Sequence, residues 1–323
     1  MVRVTFQSEI EARTAANTRN AIQSVILIGG IGAIMAVCAY VLWGRTGIVW
    51  AFVLIGALVL ISPRIGPEII IRMYGARRIG PAEGAPLLRI VDELAQRAGL
   101  PAPPHLYVIP SPMINAFATG VKSDALLAVT QGLLNRLDSR ELAGVLAHEM
   151  AHIRHNDLWI MNLADAMSRL THFMSMLGVL LFIFSLPATL LGGEPFPFLG
   201  ILLLYFAPTA STLLQLGLSR AREYDADLEG ARLSGDPEAL AGALQKIEST
   251  QGSMWETIFA PGRHVPVPSI LRTHPPTEER VRRLRAFRDQ PRPPLRPAGG
   301  EPLGAHFTPR RAVPRYHLTG LWH

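Results

Sequence analysis

Cysteine is nearly missing from this chain, with Cys38 its one thiol. That excludes a disulfide framework and a cysteine-based zinc site. Charge is scarce as well: Asp, Glu, Lys and Arg make up 17% of the 323 residues, against 49% hydrophobic ones. Such a balance is greasy for a water-soluble globule. Lysine is represented by Lys122 and Lys246, so arginine carries almost all of the positive charge behind the net +6. A basic chain can serve a nucleic acid or a membrane surface. The arginines flank apolar runs, which favours the membrane, and no nucleic-acid partner is expected. Internal repeats and phosphate-binding loops are absent from the sequence.

What the chain has in place of charge is long apolar runs. Four stand out, at Ala21–Gly44, Thr46–Pro63, Phe173–Gly193 and Pro195–Leu218. Each approaches or exceeds the roughly 18 apolar residues that cross a bilayer. The leader before the first run carries Glu9 and Glu11, and a second run follows at once, which argues against a cleaved signal peptide. Arg3, Arg13, Arg19, Arg64, Arg72, Arg77, Arg78, Arg154, Arg169, Arg220 and Arg222 all fall on one side of the paired runs. The short links carry only Arg45 and Glu194. The positive-inside rule then places both termini and everything between the pairs in the cytoplasm. Pro187 and Pro208 predict a kink or a partly re-entrant course in the second pair.

The expected organisation is a leader at 1–20, a membrane hairpin at 21–63, a water-facing part at 64–171, a second hairpin at 172–218, a second water-facing part at 219–290, and a Pro/Arg-rich tail at 291–323, expected to be disordered. In the water-facing parts Ala85–Gly99 has helical spacing, and His105–Ile109, Asn115–Thr119 and Ala125–Thr130 read as strands. Asp138 with Glu141 forms a capping-box pattern for a helix that runs toward Ser168. Further helices are expected from position 219, over Pro237–Thr250 and over Arg280–Phe287, with a proline-rich loop at 252–276. The fold class is α+β, mainly helical, with a small sheet and about four transmembrane helices.

Within the capped helix stands His148-Glu149-Met150-Ala151-His152. Two histidines four apart share a helical face and can converge on one metal, while Glu149 is placed to act as general base on a metal-bound water. Chance alone puts this pattern in roughly 1–2% of chains of such composition. A catalytic zinc needs a third protein ligand. The position that would supply a third histidine in one class of zinc peptidases holds Leu158. Glu223, with Asp227 one turn on, is a source: Asp227 can accept the free N–H of a ligand histidine. The same pair also reads as a salt-bridged helix start beside Arg220 and Arg222, and His155, His264 and His274 compete as ligands.

Taken together, the paired N-terminal runs, Asn115-Ala-Phe-Ala-Thr-Gly120, His148–His152, the second apolar hairpin, Ser219-Arg-Ala-Arg-Glu-Tyr-Asp-Ala-Asp227 and Thr273-His-Pro-Pro-Thr277 with Arg280 resemble the M48 family of metallopeptidases over residues 20 to 287. The resemblance is to its bacterial membrane proteases. It implies a gluzincin-type site with one Zn²⁺ per chain, held by His148, His152 and Glu223. It also implies cleavage of misfolded or damaged membrane proteins at the cytoplasmic face of the inner membrane. The lipid bilayer and membrane-protein substrates are the partners it implies, and it admits other quality-control proteases. Asn115, Ala116, Phe117 and Ala118 resemble an edge strand onto which substrate is laid. His274 resembles a histidine that could hydrogen-bond the oxyanion, and Asp157 also matches a family position. A prenyl-protein protease of the same clan, or a membrane holdase without proteolysis, are the alternatives.

Overall fold

The computed structural model describes residues 2–61, 74–192, 198–259, 276–287 and 293–295. His274, most of the proline-rich loop and most of the tail lie outside them.

Helix α1 (Val2–Ile61) is broken at Gly44, where φ 60 and ψ −146 leave helical space. An L side chain is strained there, so the glycine is what lets the chain reverse. The two arms pack on each other: Met35, Cys38 and Ala39 meet Ala51 and Ile55, and Leu27 and Ile31 lie among Ile55, Leu58 and Val59. These pairings run antiparallel about the break. The expected first hairpin is thus one helical element folded at its middle.

The water-facing part begins with a two-residue strand, β1 (Arg77–Arg78), which its length hid from sequence reasoning. Helix α2 (Pro81–Ala98) has proline in its first turn and Gly99 in the left-handed region at its end, the usual proline-start, glycine-stop asymmetry. Strands β2 (His105–Ile109), β3 (Ala116–Val121) and β4 (Asp124–Thr130) follow, joining β1 in a sheet of order β1-β2-β4-β3. β2 runs parallel to β4, while β3 is antiparallel to β4 and forms the sheet's edge. Short helix α3 (Gln131–Arg136) is capped by the Thr130 hydroxyl.

Helix α4 (Ser139–His155) starts at the predicted capping box, where Asp138 accepts from the backbone of Glu141 and Glu141 accepts in return. It lies between the sheet and the later helices, and Leu142, Leu146 and Met150 are fully buried. The helix stops at His155 rather than running to Ser168. Asn156 closes it in the left-handed region at φ 59, a conformation asparagine tolerates better than most residues. Helix α5 (Asp157–Leu190) starts immediately after.

Helix α6 (Phe198–Ser234) is continuous, so the helix expected from 219 is the end of a longer one. α5 and α6 continue through Pro187 and Pro208. They pack as the second hairpin, with Leu204 against Met174 and the Ser168 and Ser211 hydroxyls 2.8 Å apart. Helices α7 (Pro237–Phe259) and α8 (Thr277–Ala286) complete the described elements. Three helical stretches, Thr18–Leu60, Asp157–Pro187 and Leu199–Ser234, are long and apolar enough to cross a membrane. Among the described residues these are three helices, the first of them folded at Gly44 into the two arms of the expected first pair. Trp50, Phe52, Phe184, Leu199 and Tyr205 are exposed along them, which is costly in water and natural in lipid.

Within the tail, the described residues 293–295 dock on the fold. The Leu295 side chain is buried in the main core, its N–H bonds the Ser234 carbonyl, and Arg97 reaches the Pro293 carbonyl.

Candidate metal centre

The centre is built where α4 crosses α6. Four-residue spacing puts His148 and His152 on one face of α4, and the same spacing puts Glu223 and Asp227 on one face of α6. At Gly230, seven residues past Glu223, a Cβ would stand 3.0 Å from the Cα and N of His148. The two helices therefore touch backbone to backbone beside the site.

His148 Nε2 and His152 Nε2 lie 3.2 Å apart, and the Glu223 carboxylate oxygens are 3.7 Å from each. The three residues offer ligand atoms all within 4.8 Å of one another. Tetrahedral zinc with Zn–N bonds of 2.0–2.1 Å separates its nitrogen ligands by about 3.3 Å, so the spacing fits. Each histidine is also turned the right way. His148 Nδ1 lies 3.1 Å from Asp227 Oδ1, and His152 Nδ1 lies 3.1 Å from Asp157 Oδ2. With its Nδ1 bonded to Asp157, His152 presents an Nε2 lone pair to the centre, and His148 Nδ1 faces Asp227 at ion-pair distance.

Buried arginines hold the two carboxylates in turn. Arg280 on α8 grips Asp227 with two bonds of 2.7 Å. Arg222 on α6 donates to Asp157 at 2.6 Å. Glu149, Asp157, Glu223 and Asp227 bring four negative charges and the two arginines two positive ones, a surplus of two that a divalent cation balances. Donor type, spacing and charge all suit zinc.

Burial opposes charge on His152. The Asp157 hydrogen bond and the negative charges of Glu223 and Glu149 outweigh it and push the imidazole up to about 9. Burial raises the Glu149 carboxyl above the usual range, against the pull of His148 and His152. Glu149 Oε2 accepts the Ala118 N–H at 3.1 Å. That bond ties β3 to the centre, so Ala116, Phe117 and Ala118 border it along the sheet edge. Asn115 sits just before the strand, its N–H bonded to Thr130 Oγ1. His155 is not among the three converging residues. His264 and His274 lie outside the described residues.

Asp157, Arg222 and Arg280 were the residues that sequence reasoning left without roles. Arginine and aspartate at helix ends read first as surface charge, and only their burial reveals otherwise.

The model of peptidase family M48 matches residues 81–288. A protease HtpX homolog of Desulfatibacillum aliphaticivorans is 34% identical over 313 residues, covering 91% of this chain and 96% of that one. A second, of Pyrococcus abyssi, is 36% identical over 281 residues, covering 82% and 94%. The crystal structure of S. mikatae Ste24p aligns with a TM-score of 0.47 at 20% identity, over 84% of this chain and 65% of that one. An HtpX-like membrane protease accounts for the apolar helices, the His-His-Glu cluster and the sequence together, and the chain belongs to peptidase family M48.

Proposed function

We propose that this chain is a zinc-dependent endopeptidase that cleaves misfolded or damaged membrane proteins at the cytoplasmic face of the bacterial inner membrane. The observation that carries the reading is Glu149, placed between the His148–His152–Glu223 cluster and the edge strand β3. Zinc, bound by those three residues, would acidify a water and polarise the scissile carbonyl. Glu149 would take the proton of the attacking water and pass it to the leaving amine as the amide C–N bond breaks, acting from beside the ligand cluster. β3, an edge strand, can pair with an extended substrate and lay it across the centre. His274 would donate to the developing oxyanion. The arginine-rich side of the apolar runs supports the cytoplasmic placement.

The test is Glu149→Gln in the full-length chain, reconstituted in vesicles with a membrane-embedded substrate. Zinc content should stay near one per chain while cleavage falls by about 10²–10⁴. Full activity in the variant would remove Glu149 as the base.

A further inference from the structure

Each ligand histidine faces a carboxylate that a buried arginine holds, and the two pairs come from different parts of the molecule. His148 leans on Asp227 and Arg280, and Arg280 comes from α8. His152 leans on Asp157, and Asp157 on Arg222. Arg222 has one more partner. Its second terminal nitrogen donates to the Ser24 hydroxyl at 2.8 Å, and that hydroxyl donates to the Asn20 carbonyl at 2.6 Å. Ser24 belongs to the first membrane hairpin and lies 198 residues before Arg222.

Arg222 is 2% exposed and heads the largest fully buried side chains among the described residues. A guanidinium so placed must have its N–H groups and its charge satisfied, or it will draw its carboxylate out of position. Asp157 answers the charge and Ser24 answers one N–H, while Nε has no partner among the described residues. Close by, Arg19 on α1 pairs with Asp225 on α6. The start of the hairpin is therefore tied by two polar contacts to the very turn of α6 that carries Glu223. An anchor that only held the enzyme in lipid would not need either.

We propose that the first membrane hairpin is a positioning element of the metal centre: Ser24, through Arg222 and Asp157, fixes the ring orientation of His152. The proposal rests on the metal-site reading above. Ser24 and Arg222 are positioning residues, three and two links from His152 along a continuous chain of polar contacts. Partners directly behind a ligand histidine alter metal affinity by about 10–100-fold. Two links further back, at Ser24, a smaller effect of about 3–10-fold is expected.

The experiment uses the full-length protein in detergent with Co²⁺ as the probe, reading affinity by chelator competition and ligand geometry from the visible d–d bands. Ser24→Ala should weaken Co²⁺ binding about 3–10-fold and shift the bands at saturating metal. Ser24→Thr, which keeps the hydroxyl, should restore both. Ser185→Ala removes a hydroxyl from the other hairpin, where it bonds the Phe182 carbonyl, and should change neither. Arg222→Lys, which keeps the charge but has fewer donors to divide between Ser24 and Asp157, should resemble Ser24→Ala. Should Ser24→Ala and Arg222→Lys lower the melting temperature yet leave Co²⁺ affinity and bands as in wild type, the hairpin is only an anchor and the proposal is overturned. Failure of the wild-type protein to bind Co²⁺ or Zn²⁺ at one per chain would instead sink the metal-site reading.

Discussion

Gly230→Ala sets two opposed effects against each other. Alanine in a helix interior gains about 0.5–1 kcal/mol over glycine. Against that, the new methyl would stand 3.0 Å from both the Cα and the N of His148, with the Ala147 carbonyl carbon at 3.4 Å. All three are backbone atoms of a helix, so no rotamer change relieves the contact. Ordinary van der Waals separation for carbon is about 3.5–4.0 Å, so α4 and α6 must part by roughly half an ångström. Overpacking of this kind costs about 1–3 kcal/mol, and the net loss of stability is about 1 kcal/mol. The metal site should suffer more. His148 and His152 ride on one helix and Glu223 on the other, while metal–ligand distances tolerate only about ±0.2 Å. Zinc affinity should fall by at least about tenfold, a larger effect than the stability change implies. Chelator competition on the purified full-length protein, beside a thermal melt, measures both. A variant with wild-type zinc affinity would refute the claim that the Gly230–His148 crossing sets the distance between the ligand pairs.

Replacing Arg280 by methionine takes from the buried Asp227 carboxylate its guanidinium partner and should cost about 3–5 kcal/mol; adding Asp227→Asn should recover part of that in a denaturant melt, and a double variant no more stable than the single would contradict it. His152 is raised to about 9 in the metal-free protein, so its protonated form stabilises the fold below the ordinary pKa of about 6.5 and loses that effect as pH rises through 9. Zinc needs the neutral ring, so binding should release close to one proton at pH 7 and tighten up to about pH 9, checked by calorimetry in buffers of different ionisation enthalpy. Leu295→Ala should destabilise by about 2 kcal/mol, because Leu295 is buried in the main core; an unchanged melting temperature would show that Pro293–Leu295 does not dock.

Much of the centre was legible because it is written in local spacing. Two pairs of residues four apart, plus a capping box, define a face on α4 and a face on α6 before any fold is known. The strands and α2 were legible from alternation and from Pro and Gly at the helix ends. What the sequence hid depends on long-range packing. Asp157 becomes the partner of His152 only because Asn156 turns left-handed and starts a new helix. Arg222 reads as a membrane-surface charge until Ser24, far away in the chain, is found beside it. The hairpin break, by contrast, was legible: it falls at Gly44, beside the Arg45 link that separates the two apolar runs.

Helix α6 passes without a break from its apolar run, which ends at Leu218, to Glu223. A helix climbs 1.5 Å per residue, so the third ligand stands only about 8 Å along the axis from the last apolar turn. Rigid helical backbone has no slack with which to lengthen that distance. Under the proposed function the centre would act as a blade set at a fixed height, reaching only peptide bonds that come close to the bilayer surface.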